Sequence, residues 1–392
     1  MDLEALGTSP LGQLVPIVVP PSAHVSGPAE YFAYVPESLP DELTLETATW
    51  LAATEAANAI GALNNACAQL PNPGLLIQPA LLQEAHATSA LEGTYGAMRD
   101  VMQARLPGFE PKTPEVREIS AYIDMADFAF GWVRDRPVTI GFICDLQRIL
   151  AEASRYPVRD PGSIRTEQVY IGSDAAPIDE SRFVPPPADD RLHAGLTDWL
   201  RWTQTNRRLP VEIRAAMAHY QFETLHPFAD CNGRVGRLLV LLQLLVEGRL
   251  AEPVLTISPW LLKRRWRYQD HLLAVSATGD WNPWIQFFCD GLREQCERHL
   301  VVARELLESL GNLRDELNER HWTGTIGRVA ADLVDWPVVT NSSVQQQYSC
   351  SGPTAQKAID RLVELGVLEE LTGGNYARVW GARNVMRLVE SL

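Results

Sequence analysis

One junction constrains this chain more than any other feature: His226-Pro227-Phe228-Ala229-Asp230-Cys231-Asn232-Gly233-Arg234-Val235-Gly236-Arg237, followed directly by the apolar run Leu238–Val246. Pro227 disfavours helical backbone in the residue before it, so the preceding helix must stop near Leu225 and His226. Asn232 reads as an N-cap, and a buried helix follows it. The loop therefore delivers the chain to a helix N-terminus, where free N–H groups and the macrodipole attract anions. Arg234 and Arg237 lie one turn apart at that positive end. Each cation is misplaced there by roughly 0.3–1 kcal/mol unless an anion accompanies it. Gly233 and Gly236 let backbone approach a ligand closely. Asp230 supplies hard oxygen for Mg²⁺ beside phosphates, and His226 is the nearby group able to take a proton at neutral pH. Together these residues describe phosphoryl or nucleotidyl transfer. The alternative is a capped core helix with incidental arginines.

The rest of the chain reads as mainly α. Seven prolines in residues 1–40 predict an extended arm or irregular coat. Helices are expected at about 43–70, ending at Pro71-Asn72-Pro73-Gly74, then 79–92 with Gly93 as its stop, 114–134 and 140–153. Gln168-Val169-Tyr170-Ile171, a turn at Gly172-Ser173-Asp174, and Arg182-Phe183-Val184 predict a hairpin-like flap. Helical pattern resumes at 192–206, 211–225, 234–247, 259–274 and 284–310. From Thr323 onward the order is helix, helix, helix and hairpin, with a tip at Gly373-Gly374 and a return strand at Ala377-Arg378-Val379. That order describes a winged helix-turn-helix.

Composition narrows the partners. The net charge is −15 on 392 residues, a surface that repels nucleic acid on average. Residues 321–392 carry only −1, leaving −14 on the other 320. The six cysteines are scattered without a CxxC pair, which fits a reduced cytoplasmic compartment. The first Lys or Arg is Arg99, so the start lacks the basic region of a secretory signal. The longest apolar run is about half of the ~20 residues a membrane span needs. A metallohydrolase on His219 and His226 is disfavoured, since the two are seven apart rather than three or four.

The junction resembles the signature of the Fic family, HPFxxGNGRxxR, at every fixed position except Cys231, where the family usually has glycine. The resemblance implies protein adenylyltransfer: AMP moves from ATP to a Ser, Thr or Tyr hydroxyl of a protein, self-modification included. It makes His226 the base and Asp230 the Mg²⁺ ligand. Cys231, Asn232, Gly233, Arg234, Val235, Gly236 and Arg237 would line the phosphate site, with Arg237 at the γ-phosphate. Gly233 stands where the phosphate-transferring Doc toxins carry lysine, which favours AMP. Gly162-Ser163-Ile164-Arg165, Gln168 to Gly172 and Phe183-Val184-Pro185-Pro186 resemble the family's flap, where Val169, Tyr170, Ile171 and Gly172 would hold a target segment by strand addition. Residues 257–290 resemble the helices closing the adenine side, with Arg264 where asparagine is usual.

Thr88-Ser89-Ala90-Leu91-Glu92-Gly93 fits the family's inhibitory pattern (S/T)xxxE(G/N), which implies that Glu92 pairs with Arg237 and occupies the γ-phosphate place. The expected organisation is then 1–108, an arm and helical region carrying the inhibitory helix; 109–310, the Fic core; and 320–392, the winged helix. For that last module, with Lys357 and Arg361 on its recognition helix and Arg378 on its wing, DNA contact, dimerisation and target docking stand as alternatives. Two other functions remain open at this stage: removal of AMP by the same site, and a transcriptional regulator whose Fic domain senses nucleotide.

Overall fold

The computed structural model describes residues 1–19, 29–69, 76–172, 178–372 and 378–392. Its elements in order are α1 (Leu3–Gly7), β1 (Gly12–Val19), β2 (Ala29–Pro36), α2 (Thr47–Ala68), α3 (Ile77–Leu91), α4 (Met98–Ala104), α5 (Pro114–Val133), α6 (Ile140–Ala153), α7 (Asp190–Thr205), α8 (Val211–Leu225) and α9 (Asn232–Val246). The chain continues with α10 (Ser258–Lys263), α11 (Arg265–Thr278), α12 (Asn282–Glu319), α13 (Thr325–Asp332), β3 (Val338–Thr340), α14 (Asn341–Tyr348), α15 (Gly352–Glu364), β4 (Leu368–Glu370), β5 (Val379–Ala382) and α16 (Arg383–Ser391). The molecule is mainly helical, as the periodicity predicts.

At the centre stands the antiparallel pair α8–α9. Nearly every residue of α8 is buried, which is the signature of a helix packed on all sides rather than one with a solvent face. α2, α7 and α12 pack against α8, while α3, α5 and α6 pack against α9. Local chemistry sets the surrounding helix starts. Thr113 Oγ1 accepts from Val116 N–H at 3.2 Å ahead of Pro114, and Thr139 Oγ1 accepts from Phe142 N–H at 3.1 Å. Both are side-chain N-caps.

Several expectations need correction. Residues 1–40 are not an irregular coat: β1 and β2 pair antiparallel from Gly12↔Pro36 to Val19↔Ala29. Tyr34 N–H points away from β1, to Val184 O at 2.9 Å. Leu14–Tyr34 is therefore a pair whose backbone groups face outward, and two residues on Pro16–Phe32 is of the same kind. The donor that Pro16 lacks thus falls on the outer edge of the ladder, where proline is tolerated. Pro20, Pro21 and Pro28 lie outside the described residues, as do the breaker at 71–74, Gly373-Gly374 and Ala377.

The flap is smaller than predicted. A single antiparallel bridge, Ile171↔Phe183, replaces a strand over 168–171, because the Gln168 side chain donates to Pro185 O at 2.9 Å and Pro185-Pro186-Pro187 can give no ladder donors. Ser173 and Asp174 lie outside the described residues. The span 259–274 is broken in two at Arg264, and α12 runs to Glu319 rather than 310. α4 and β3 were not anticipated. In the C-terminal unit β3, β4 and β5 form an antiparallel sheet in the order β3-β5-β4, with α13, α14 and α15 beside it. Among the described residues no helix is long and apolar enough to cross a membrane.

Candidate active site

α8 stops at His226, which takes left-handed backbone (φ 47°) and still donates its N–H to Phe222 O at 3.0 Å. Pro227 then turns the chain away. Asn232 clamps the loop, accepting from Phe228 N–H and donating to Phe228 O, both at 2.9 Å. Here the sequence reading needs correction. Asn232 is the first helical residue of α9, and the cap position belongs to Cys231, whose φ is 74°. A Cβ is strained in that region, which explains why glycine is usual there. The Cys231 thiol is pushed up to about 12 by burial, so it is an uncharged thiol and not a nucleophile at neutral pH.

Two cations follow inside the first turn of α9. The side chain of Arg237 is 2% exposed; its Nε donates to Thr88 Oγ1 at 2.7 Å and its Nη2 to Thr88 O at 3.2 Å and Glu92 Oε1 at 2.5 Å. Burying an arginine without a partner costs several kcal/mol, so this position needs an anion. Glu92, the C-cap of α3, supplies it. Burial alone would raise the Glu92 carboxyl, but the Arg237 charge and hydrogen bond hold it below its ordinary value. Gly233 makes room for the contact, since a Cβ there would overlap Glu92 Oε1 and crowd the Arg237 guanidinium. Arg234 is also buried; its Nη2 reaches Cys231 Sγ at 3.2 Å and its Nη1 lies 3.8 Å from Glu118. Among the described residues its Nε and Nη1 have no hydrogen-bond partner.

Glu92, His226, Gly233 and Arg237 line one cavity of about 240 Å³, with Ile171 and Gly172 of the flap on one wall and Tyr268 on another. The His226 Nδ1 lies 3.2 Å from Glu223 O, an acceptor, which assigns the proton to Nδ1 and leaves the Nε2 lone pair available. Burial, and then Arg165, hold the imidazole down at about 4. It is neutral at pH 7, as a proton acceptor must be. Asp230 is exposed at the loop's end, and its Oδ1 accepts from Cys231 N–H at 2.5 Å.

Other expected site residues lie elsewhere. Cys231, Asn232 and Arg234 are buried and Asp230 is exposed, and none of the four lines this cavity, while Val235 is packed in the core. Gly236 does not face a ligand: a Cβ there would strike Glu223 and Phe222, so it serves the close approach of α8 and α9. Val169 and Tyr170 are outside the cavity wall, and Tyr170 packs against the small cluster of Ala33, Ile178 and Val184. Arg264 is also apart, stacked 4.4 Å above the Trp260 ring and 3.2 Å from Glu294. Sequence reasoning missed Glu223, whose carboxyl burial raises to about 7 with Oε1 unpartnered among the described residues. It also missed Glu118 and Tyr268, and no local pattern marks any of the three.

A single Asp suits Mg²⁺ chemically, because that ion is commonly held by one or two carboxylates with phosphates and water completing its shell. Among the described residues no group of three or more His, Cys, Asp or Glu could hold a metal without such a ligand.

Comparison with known proteins adds the family. Residues 50–131 match the model of the Fic/DOC family N-terminal region, and residues 137–244 match that of the Fic/DOC family. "Protein adenylyltransferase Fic" of Drosophila grimshawi is 26% identical over 275 residues, 68% of this chain and 52% of that protein. "Protein adenylyltransferase fic-1" of Caenorhabditis briggsae is 32% identical over 161 residues, 40% of this chain and 28% of that one. The chain thus spans about half the length, or less, of these curated relatives. A Fic family protein from Desulfovibrio desulfuricans G20 shares the fold, with a TM-score of 0.57 at 20% identity over 87% of this chain and 97% of its own. The α8–α9 junction lies inside the second matched segment, so the chain contains a Fic domain, with the family's N-terminal region ahead of it.

Proposed function

We propose that this protein is an adenylyltransferase that moves AMP from ATP to a Ser, Thr or Tyr hydroxyl of a protein, itself included, and that Glu92 holds it in check. One observation carries the reading: the Glu92 carboxylate lies against Arg237 over the first turn of α9, in the same cavity as a neutral His226. A carboxylate there stands in for an anionic ligand of the helix end. The two relatives named as adenylyltransferases support the assignment of that ligand as ATP.

In this reading Arg237 and Arg234 take the polyphosphate, with Gly233 leaving it room. Asp230 would hold Mg²⁺, which neutralises phosphate charge when bound. His226 Nε2 accepts the proton of the target hydroxyl, whose oxygen bonds to the α-phosphorus while the bond to the β-phosphate oxygen breaks and pyrophosphate leaves. Nδ1 stays bound to Glu223 O and keeps the ring in the right tautomer. Ile171 and Gly172 on the cavity wall would steady the target segment. While Glu92 grips Arg237, a γ-phosphate is excluded from the productive place.

The C-terminal unit reads as a winged helix used for docking. Arg361 stacks 4.5 Å above Trp322, and Arg378 and Arg383 pair with Glu370 and Glu369, so these cations are engaged within the unit rather than offered to phosphates. The test of the main reading is label transfer by Glu92→Gly protein. Label from ATP marked at the α-phosphate is expected on protein, and label at the γ-phosphate is not. Transfer of γ-label alone would make the protein a kinase instead.

A further inference from the structure

A guanidinium that the reaction above does not use sits directly behind its base. Arg165 is only 5% exposed. Its Nε donates to His226 O at 2.8 Å, Nη2 to Pro186 O at 2.6 Å and to Leu225 O at 3.4 Å, and Nη1 to Glu167 O at 3.2 Å. Its own N–H donates to Pro227 O at 2.9 Å. These side-chain donors all go to main-chain carbonyls, and among the described residues no carboxylate forms an ion pair with Arg165. Burial lowers its pKa to about 10, so it remains a cation at neutral pH.

The need for such a group follows from the sequence around it. The last carbonyls of a helix lack intrahelical donors, and Pro227 has no N–H to return to them. His226 must hold left-handed backbone, a conformation that costs a residue with a Cβ roughly 1–2 kcal/mol. A cation with a planar fork of donors answers both needs, and it lies at the helix end where positive charge is favoured. Pro186 O and Glu167 O belong to the two arms of the flap. One side chain therefore ties α8's end, the His226 turn and both flap arms together.

We propose that Arg165 is a positioning residue for the base: it fixes the His226 turn to the flap, so that a hydroxyl seated at the flap meets the imidazole at a set distance. This rests on the reading of His226 as the proton acceptor. Arg165 and Glu92 act on the imidazole with opposite effect, while Arg182, Glu223, Arg237 and Arg265 share its cavity, so the Arg165 charge also favours the neutral ring.

Two substitutions separate geometry from charge, made in the Glu92→Gly protein with ATP and self-modification as the assay. Arg165→Met removes both: kcat is expected to fall by about 100-fold, the loss that follows small misplacement of a reacting group. The KM for Mg-ATP should stay unchanged, and the His226 pKa, read by NMR of the ring, should rise towards its ordinary value. Arg165→Lys keeps the charge but cannot span four carbonyls with three donors: the His226 pKa should stay low while kcat remains reduced. Parental kcat in Arg165→Lys overturns the proposal, and so does an unchanged His226 pKa in Arg165→Met. If Arg165→Met fails to fold, the Arg165→Lys rate decides. If the Glu92→Gly parent transfers nothing, the adenylyltransferase reading fails, and the NMR arm still tests whether the Arg165 charge acts on the ring.

Discussion

The α8–α9 junction lines the cavity and the N-terminal hairpin packs behind its wall, through Tyr34 on Phe183 and Ser276, yet only the first announces itself in the sequence. At the junction every requirement is local: a residue without N–H after His226, a left-handed cap, a helix start and cations needing an anion. Each leaves its mark within twelve consecutive residues. The hairpin depends on a partner far along the chain. Tyr34 pairs with Val184, its ring meets Phe183 at 5.7 Å, and its hydroxyl reaches Ser9 Oγ at 2.8 Å and Ser276 O at 3.3 Å. Chemistry is thus written locally, while the frame that holds it is written in long-range pairing.

The largest effect should come from the junction itself. His226→Ala in the Glu92→Gly protein is expected to reduce AMP transfer by about 1000-fold, within the range for a lost general base, and to leave ATP binding intact. Retained transfer would detach the chemistry from this residue. Next comes the proposed brake. Glu92→Gly should raise transfer by about tenfold or more, each tenfold corresponding to about 1.4 kcal/mol. It also leaves Arg237 buried without its partner. The ligand-free variant should therefore melt lower than wild type, by about 1–3 kcal/mol after allowing for the 37% exposure of the Glu92 side chain. Mg-ATP should restore the loss.

pH sharpens the same region. In the proposed reaction the base works only when neutral, and His226 sits at about 4. Transfer should hold steady as pH falls from 8 to about 5.5 and disappear as pH passes down through about 4. A midpoint near 6.5 would mean that burial and Arg165 do not act on the ring as described.

The hairpin gives a smaller, structural response. Tyr34→Phe removes one buried hydroxyl and should cost about 1 kcal/mol, with faster amide exchange at Ile171 and Phe183 while ATP affinity is unchanged. The smallest effect should be a gain. Cys231→Gly relieves left-handed strain at the α9 cap, less the chain entropy glycine adds, for a net of about 0.5 kcal/mol in denaturant melts.

Much of the fold was legible because turn and capping residues bound the helices, and α5, α6 and α8 begin where Pro114, Thr139 and Pro210 place their starts. α10 and α11 were read as one helix because the break at Arg264 involves no glycine or proline. Glu92 and Arg237 were legible as a pair through the motifs at 88–93 and 226–237. Glu118, Glu223 and Tyr268 were not, because a lone buried carboxyl or hydroxyl has no neighbour in sequence that betrays its surroundings. Arg264 was misplaced for the converse reason: its neighbours resemble a nucleotide-closing helix, but the side chain turns to Trp260 and Glu294.

Calorimetry with Mg-ATP on the Glu92→Gly protein and on the same protein carrying Arg237→Ala goes to the heart of this account. Saturable, magnesium-dependent binding is expected in the first, with at least a tenfold weaker Kd in the second. Equal affinity in the two, or no uptake in either, would show that the end of α9 is not where a triphosphate rests.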